Sequence, residues 1–192
     1  MVARRRLAFT DAPPAKRARM TPAKVRSIIR SETDFKFFDK QGPFAVSNTE
    51  GVNIDLSLIQ TGSNFNQRIG NKITMTRLDV KLLCRNTNGM RLIIYCPKIS
   101  NDNISDTTGL NAPVDNNKYW IWHDEIYAPM GTVAGDVAIN LKFNKTMNML
   151  FSGSAGSTQT RNPLKMYITS VDQTANTARR VDGTTKLWYK DS

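Results

Sequence analysis

Beyond Glu32 the apolar residues recur at every second position, and a period of two dictates strands rather than helices. Residues 52–58, Val-Asn-Ile-Asp-Leu-Ser-Leu, alternate cleanly, as do residues 137–143, Val-Ala-Ile-Asn-Leu-Lys-Phe. Each predicts a strand with one buried face. Residues 73–84 alternate too, but Ile73 and Met75 are out of phase with Leu78, Val80, Leu82 and Cys84. A bulge near Thr76 and Arg77 restores the register. Residues 90–96 are apolar apart from Arg91, which suits a strand covered on both faces. Asn86, Asn88 and Gly89 make the intervening turn.

Further strands are expected at residues 119–127, 148–152, 164–171 and 185–190. Polar loops rich in Gly, Ser, Asn and Thr separate them at 100–117, 153–162 and 172–184. After residue 30 no helical period is found beyond a turn around 105–110, and no segment repeats at a fixed spacing. Eight strands with polar connectors predict an all-β chain: an eight-stranded antiparallel jelly-roll sandwich.

Charge divides the 192 residues differently. Residues 1–30 hold nine bases, Arg4, Arg5, Arg6, Lys16, Arg17, Arg19, Lys24, Arg26 and Arg30, against Asp11, a net of 9 − 1 = +8. The remaining 162 residues hold eighteen bases and fifteen acids, 18 − 15 = +3. A nearly neutral body of residues 31–192 thus carries a cationic arm. Arms of this kind bind polyphosphate, because each Lys or Arg that meets a phosphate releases a condensed counterion. Pro13, Pro14 and the lack of apolar period predict that residues 1–20 are disordered. Thr21 and Pro22 then start a short helix over about 22–30, with Val25, Ile28 and Ile29 on one face and Arg26 and Arg30 on its flank. Such a helix is marginal alone. Lys16, Arg17 and Arg19 after two prolines also have the form of a nuclear import signal, a reading compatible with nucleic-acid contact by the same residues.

Little else in the chain points to chemistry. No run of eighteen apolar residues can span a membrane, and Arg4–Arg6 is followed by no signal-peptide stretch, so the chain is expected to act inside a cell or a particle assembled there. Cys84 and Cys96 fit no metal spacing and lie in apolar runs as small hydrophobes. His123 is followed by Asp124, but strand neighbours point to opposite faces, so the two form no catalytic dyad. Gly153–Ser157 lacks the Gly-Lys-Ser/Thr ending of a phosphate loop, and Asp102, Asp106 and Asp115 match no calcium loop. No catalytic residue, metal or cofactor is assigned. Trp120, Trp122 and Trp188 can stack on bases, although strand aromatics more often pack in cores or interfaces.

The order of features resembles the single jelly-roll coat proteins of small icosahedral viruses. The nearest match is the satellite tobacco necrosis virus-like type found in circular Rep-encoding single-stranded DNA viruses. Residues 58–62 (Leu-Ile-Gln-Thr-Gly) and 66–73 (Asn-Gln-Arg-Ile-Gly-Asn-Lys-Ile) resemble that family's approach to its first long strand. Residues 91–95 resemble the next strand, 119–124 a later one, and 186–191 (Lys-Leu-Trp-Tyr-Lys-Asp) the closing strand. Those coats often carry Arg-Phe where this chain has Tyr119 and Trp120, and an acid where it has Cys96, Pro97 and Lys98.

The resemblance implies two four-stranded sheets face to face, an inward arm and a T=1 shell of sixty subunits. The expected function is therefore a non-enzymatic capsid protein that self-assembles and packages a single-stranded genome, DNA in preference to RNA. The nine arm bases are the expected genome contacts. A host import receptor is a further expected partner, with the virion and the host nucleus during assembly as locations. The alternative is a nuclear single-strand-binding β-domain that forms no shell. A jelly-roll enzyme or lectin would need convergent ligands that the sequence lacks.

Overall fold

The computed structural model describes residues 35–46, 51–99, 102–105, 108–129, 134–152, 158–170 and 179–192. The arm, its expected helix and the nine arm bases lie outside the described residues. Among the described residues there are eleven strands: β1 Lys36–Gln41, β2 Phe44–Val46, β3 Val52–Asp55, β4 Lys72–Thr87, β5 Met90–Pro97, β6 Tyr119–Tyr127, β7 Gly135–Phe143, β8 Met147–Ser152, β9 Thr158–Arg161, β10 Lys165–Ser170 and β11 Arg179–Asp191. All named pairs are antiparallel.

Ten of these strands make up the eight units of the frame. β1 and β2 both pair with β11 and are parted only at Gly42 and Pro43, whose peptide is cis. β7 and β8 both pair with β4 and are parted only by residues 144–146, so they run as one interrupted strand. β9 is a short hairpin partner of β8. The chain is therefore one long ribbon, with β1/β2 on β11, β3 on β10, β4 on β7/β8 and β5 on β6. Lateral pairing of β11 with β4, and of β10 with β5, rolls the ribbon into two sheets. One sheet runs β1-β11-β4-β8-β9, with β2 on β11 and β7 on β4; the other runs β3-β10-β5-β6. That order is a jelly roll.

The alternation read from sequence sets which side chains fill the sandwich. Ile73, Met75, Leu78, Val80, Leu82 and Cys84 of β4 face Leu92 and Ile94 of β5 and Met166 and Ile168 of β10 in one buried cluster. Each fully buried Leu, Ile or Met contributes about 1.5–3 kcal/mol. The expected bulge is present: Trp188 lies opposite Arg77 and Tyr189 opposite Met75, so Thr76 is the extra residue. Gly183 lets β11 lie close against β4, since a Cβ there would sit 2.2 Å from the Lys81 carbonyl oxygen.

Three expectations need correction. The first frame strand, β1 with β2, was not expected, whereas the strands expected at 137–143 and 148–152 are present as β7 and β8. β1 escapes a period-two reading because Phe37 and Phe38 are adjacent and both faces carry apolar rings: Phe38 packs on the core and Phe37 against Trp188 on the outside. The expected loop at 153–162 contains β9, and the expected loop at 172–184 gives up residues 179–184 to β11, where backbone pairing with β2 and β4 overrides a polar sequence.

The four-stranded sheet is covered on its outer face as well. β5 and β10 are buried along their whole length. Their outer cover is the connection from β5 to β6, which places Ile104 and Val114 against Ile93, Tyr95, Tyr119, Ile121 and Tyr167. Tyrosine hydroxyls tie it down: Tyr119 donates to the Asn103 carbonyl and Tyr167 to the Thr108 carbonyl, both at 2.6 Å. Tyr95 donates to Asn53 Oδ1 at 2.6 Å and accepts from the Ile104 N–H. Burial, first, raises the Tyr95 and Tyr119 phenols above the ordinary tyrosine range, with nearby acids adding to it. The fold thus favours the neutral phenols. Their stabilisation is intact below about pH 10, the unfolded tyrosine value, and is lost as pH rises toward the folded values. Tyrosinate absorbance should appear late and together with loss of the folded signal; gradual ionisation from pH 10 with the fold intact would contradict this.

Candidate nucleic-acid interface

The two outer faces of the sandwich differ. Over the four-stranded sheet, Arg91 fastens the β5–β6 connection. Its Nε and Nη2 donate to Asp124 Oδ1 and Oδ2 at 2.7 and 2.8 Å, and Nη1 donates to the carbonyls of Gly109 and Ala112 at 3.0 and 2.6 Å. Its hydrogen bond to Asp124, partly offset by burial, raises the guanidinium pKa further. This face is closed, and its buried cations are structural: Lys165 Nζ likewise donates to Asn103 Oδ1 at 2.6 Å and lies 3.5 Å from Asp55.

The outer face of the seven-stranded sheet is open among the described residues. Residues out of phase with the core project there in rows fixed by strand register. Phe37, Trp188 and Arg77 form one row, and Asp39, Lys186, Asp79 and Lys142 form the next. In the first row Phe37 and Trp188 have centroids 5.5 Å apart, and Phe65 meets Phe37 edge-on at 5.1 Å. Lys186 Nζ lies 4.2 Å from the Phe37 centroid and 5.6 Å from that of Trp188, while Arg77 lies 6.0 Å from Trp188. The Arg77 guanidinium is held by Asp79 at 2.7 Å, which raises its pKa. Trp188 Nε1 donates to the other Asp79 oxygen at 3.4 Å. Lys72, Arg77, Lys81, Arg85, Lys142, Arg180, Lys186 and Lys190 share this phase with Asp39, Asp79, Asp136 and Asp182, so bases exceed acids two to one.

The depressions on this face include one of about 260 Å³ lined by Lys81, Leu82, Leu83, Asp182, Gly183 and Thr184. A shallow cleft of about 250 Å³ is lined by Phe35, Thr76, Arg77 and Trp188. A groove of about 520 Å³ is lined by Lys72, Thr146, Met147, Asn148, Leu150, Arg161 and Asn162. The sequence reading did not find this surface. Its signal was the spacing of Lys186, Trp188 and Lys190, which puts all three on one strand face opposite Leu187 and Tyr189.

The other residues singled out from sequence fall elsewhere. His123 and Asp124 do part to opposite faces: Asp124 meets Arg91, whereas His123 Nε2 lies 2.7 Å from the Tyr127 hydroxyl and 3.6 Å from Glu125. Burial, with Glu125 beside it, raises the Tyr127 phenol. Ile94 pairs with His123 and Tyr95 with Ile121, so Trp122 is the extra residue of a bulge in β6, and both Trp122 and His123 lie toward Phe143. Trp122 packs against the core, while Trp120 is half exposed beside Lys98. Cys84 and Cys96 are buried, and burial pushes the Cys96 thiol up to about 12. Among the described residues no three His, Cys, Asp or Glu gather to hold a metal, and no helix is long and apolar enough to cross a membrane. Asp102 and Asp115 are described; Asp106 and residues 153–157 are not.

No protein-family model matches the chain, and no curated protein matches it. Among solved structures it is similar to a chain of the cowpea mosaic virus top component, naturally occurring empty particles. The identity is 10%, covering 83% of this chain and 89% of that one, with a TM-score of 0.40. It is also similar to infectious bursal disease virus, Gx strain, at 12% identity over 81% of this chain and 32% of that one, TM-score 0.34. For the same virus's VP2 subviral particle the values are 13%, 81%, 30% and 0.26. This chain spans about a third of the length of the bursal disease virus chains. The jelly roll itself stands on the strand pairing described above.

Proposed function

We propose that this chain is the coat subunit of a small icosahedral virus, which self-assembles into a sixty-subunit T=1 shell and packages a single-stranded genome, DNA in preference to RNA, through its N-terminal arm. The observation that carries the reading is the joining of a jelly-roll body, net +3, to a thirty-residue leader of net +8. Among the described residues the body is a sandwich with one closed and one open face. Exposed apolar side chains at separate places supply material for subunit contacts: Leu58, Phe65 and Ile69 in the β3–β4 connection, and Ile99 and Trp120 where β5 ends and β6 begins. The arm bases Arg4, Arg5, Arg6, Lys16, Arg17, Arg19, Lys24, Arg26 and Arg30 pair with phosphate without regard to sequence. Sixty arms bring 60 × 8 = 480 positive charges inside, so a genome longer than about 480 nucleotides draws on other cations or on the body.

Domain organisation follows: arm 1–30, shell domain 31–192. Lys16, Arg17 and Arg19 double as the import signal, read by a host receptor before assembly in the nucleus. The reading needs no catalytic residue and no cofactor. Size-exclusion chromatography with negative-stain imaging of the purified chain tests it. Closed particles are expected; a monomer or dimer that still binds oligonucleotide would favour a nuclear single-strand-binding domain instead.

A further inference from the structure

The open face of the seven-stranded sheet combines, within a few residues, the two things that hold single-stranded nucleic acid: an aromatic surface beside a cation, and a cationic groove. The aromatic cleft is built by Phe35, Arg77 and Trp188, and its volume of about 250 Å³ admits one ring system rather than a large ligand. The groove carries Lys72 and Arg161 at its rim. Register relates them. Trp188 is opposite Arg77, Lys190 is opposite Thr74, and Lys72 is opposite Leu150, itself opposite Arg161. From the Trp188 row to the Lys72 row is therefore about four residues, roughly 14 Å at the usual strand rise. Bases outnumber acids on the face, which suits a polyanion and no apolar partner.

We propose that this face binds single-stranded nucleic acid directly, one base stacking on Trp188 in the cleft with Phe35 and Arg77, and the sugar-phosphate chain passing to Lys72 and Arg161. The proposal deepens the packaging reading and rests on it. The arm supplies non-specific charge, while the sheet supplies a fixed stacking site whose hold depends less on salt.

The test uses the full chain and a (dT)20 oligonucleotide carrying 5-iododeoxyuridine. Ultraviolet cross-linking followed by peptide mass spectrometry is expected to mark the peptide holding Trp188. In 0.5 M NaCl, where phosphate pairing is suppressed, Trp188→Leu should weaken binding about tenfold, Trp188→Phe should stay within about threefold of wild type, and Trp120→Leu should change nothing. Lys72→Gln with Arg161→Gln should weaken binding and flatten its salt dependence. Cross-links confined to residues 1–30, with Trp188→Leu binding as wild type, would overturn the sheet site and leave the packaging reading standing. No binding by the wild-type chain even at low salt would overturn both.

Discussion

Deleting residues 1–30 is expected to leave a folded sandwich that packages far less nucleic acid. The arm holds +8 of the chain's +11, so the truncated subunit keeps 3/11 of the net charge. Packaged nucleotides per particle should fall to about a quarter, if counter-charge sets the load. Binding to single strands should also lose salt dependence. Nine phosphate contacts at about 0.7 each steepen log K against log salt by roughly 6, and the truncated chain lacks that part. The ratio of absorbance at 260 to 280 nm in purified particles reads the first effect, and titrations at several salt concentrations read the second. Equal packaging by the two chains would refute the arm's role. Far-ultraviolet circular dichroism guards against an unfolded body, and the described body has a buried core of its own.

Replacing Arg91 by Ala is the substitution expected to cost most stability. Arg91 sits inside an otherwise apolar strand, its side chain 7% exposed, and engages one carboxylate and two carbonyls. Removing it leaves Asp124 without its partner, takes the side-chain donor from the Ala112 carbonyl and leaves the Gly109 carbonyl only the Ala112 N–H, so the loss should be about 3–5 kcal/mol. Urea unfolding monitored by tryptophan fluorescence measures it. Arg91→Lys should recover only part, because an ammonium cannot make the forked contact with both Asp124 oxygens while holding two carbonyls. Arg91→Ala with Asp124→Ala should be less damaging than the sum of the two single changes. A loss below about 1 kcal/mol for Arg91→Ala would mean that the β5–β6 connection is held by its tyrosines and apolar contacts alone.

What the sequence made legible was the core. Alternation located β3, β4 and β7 because each carries one apolar face, and the phase break between Met75 and Leu78 was enough to place the bulge at Thr76. Continuous apolarity marked β5 as covered on both sides, though it did not say that the cover would be the polar connection between β5 and β6. The strands that escaped are those where both faces matter. β1 hides behind the Phe37–Phe38 pair, and the first half of β11 is polar because it serves as a backbone partner between β2 and β4.

The candidate surface was illegible for a related reason. Its aromatic row is assembled from β1, β4 and β11, which lie up to 150 residues apart in sequence and meet only through register. Arg91 looked like a flaw in an apolar run and proved to be the anchor of a covering loop. Asp124, which sequence alone placed on the face away from His123, serves Arg91.

The central claim is that one kind of subunit, a sandwich with a cationic leader, closes on itself. Measuring the native mass of the purified full chain by analytical ultracentrifugation, with oligonucleotide and without, tests it most directly. Sixty copies of 21.6 kDa predict a particle near 60 × 21.6 kDa, about 1.3 MDa before any nucleic acid is added. Subunits that remain at one or two copies at every concentration and salt, with or without oligonucleotide, would contradict it.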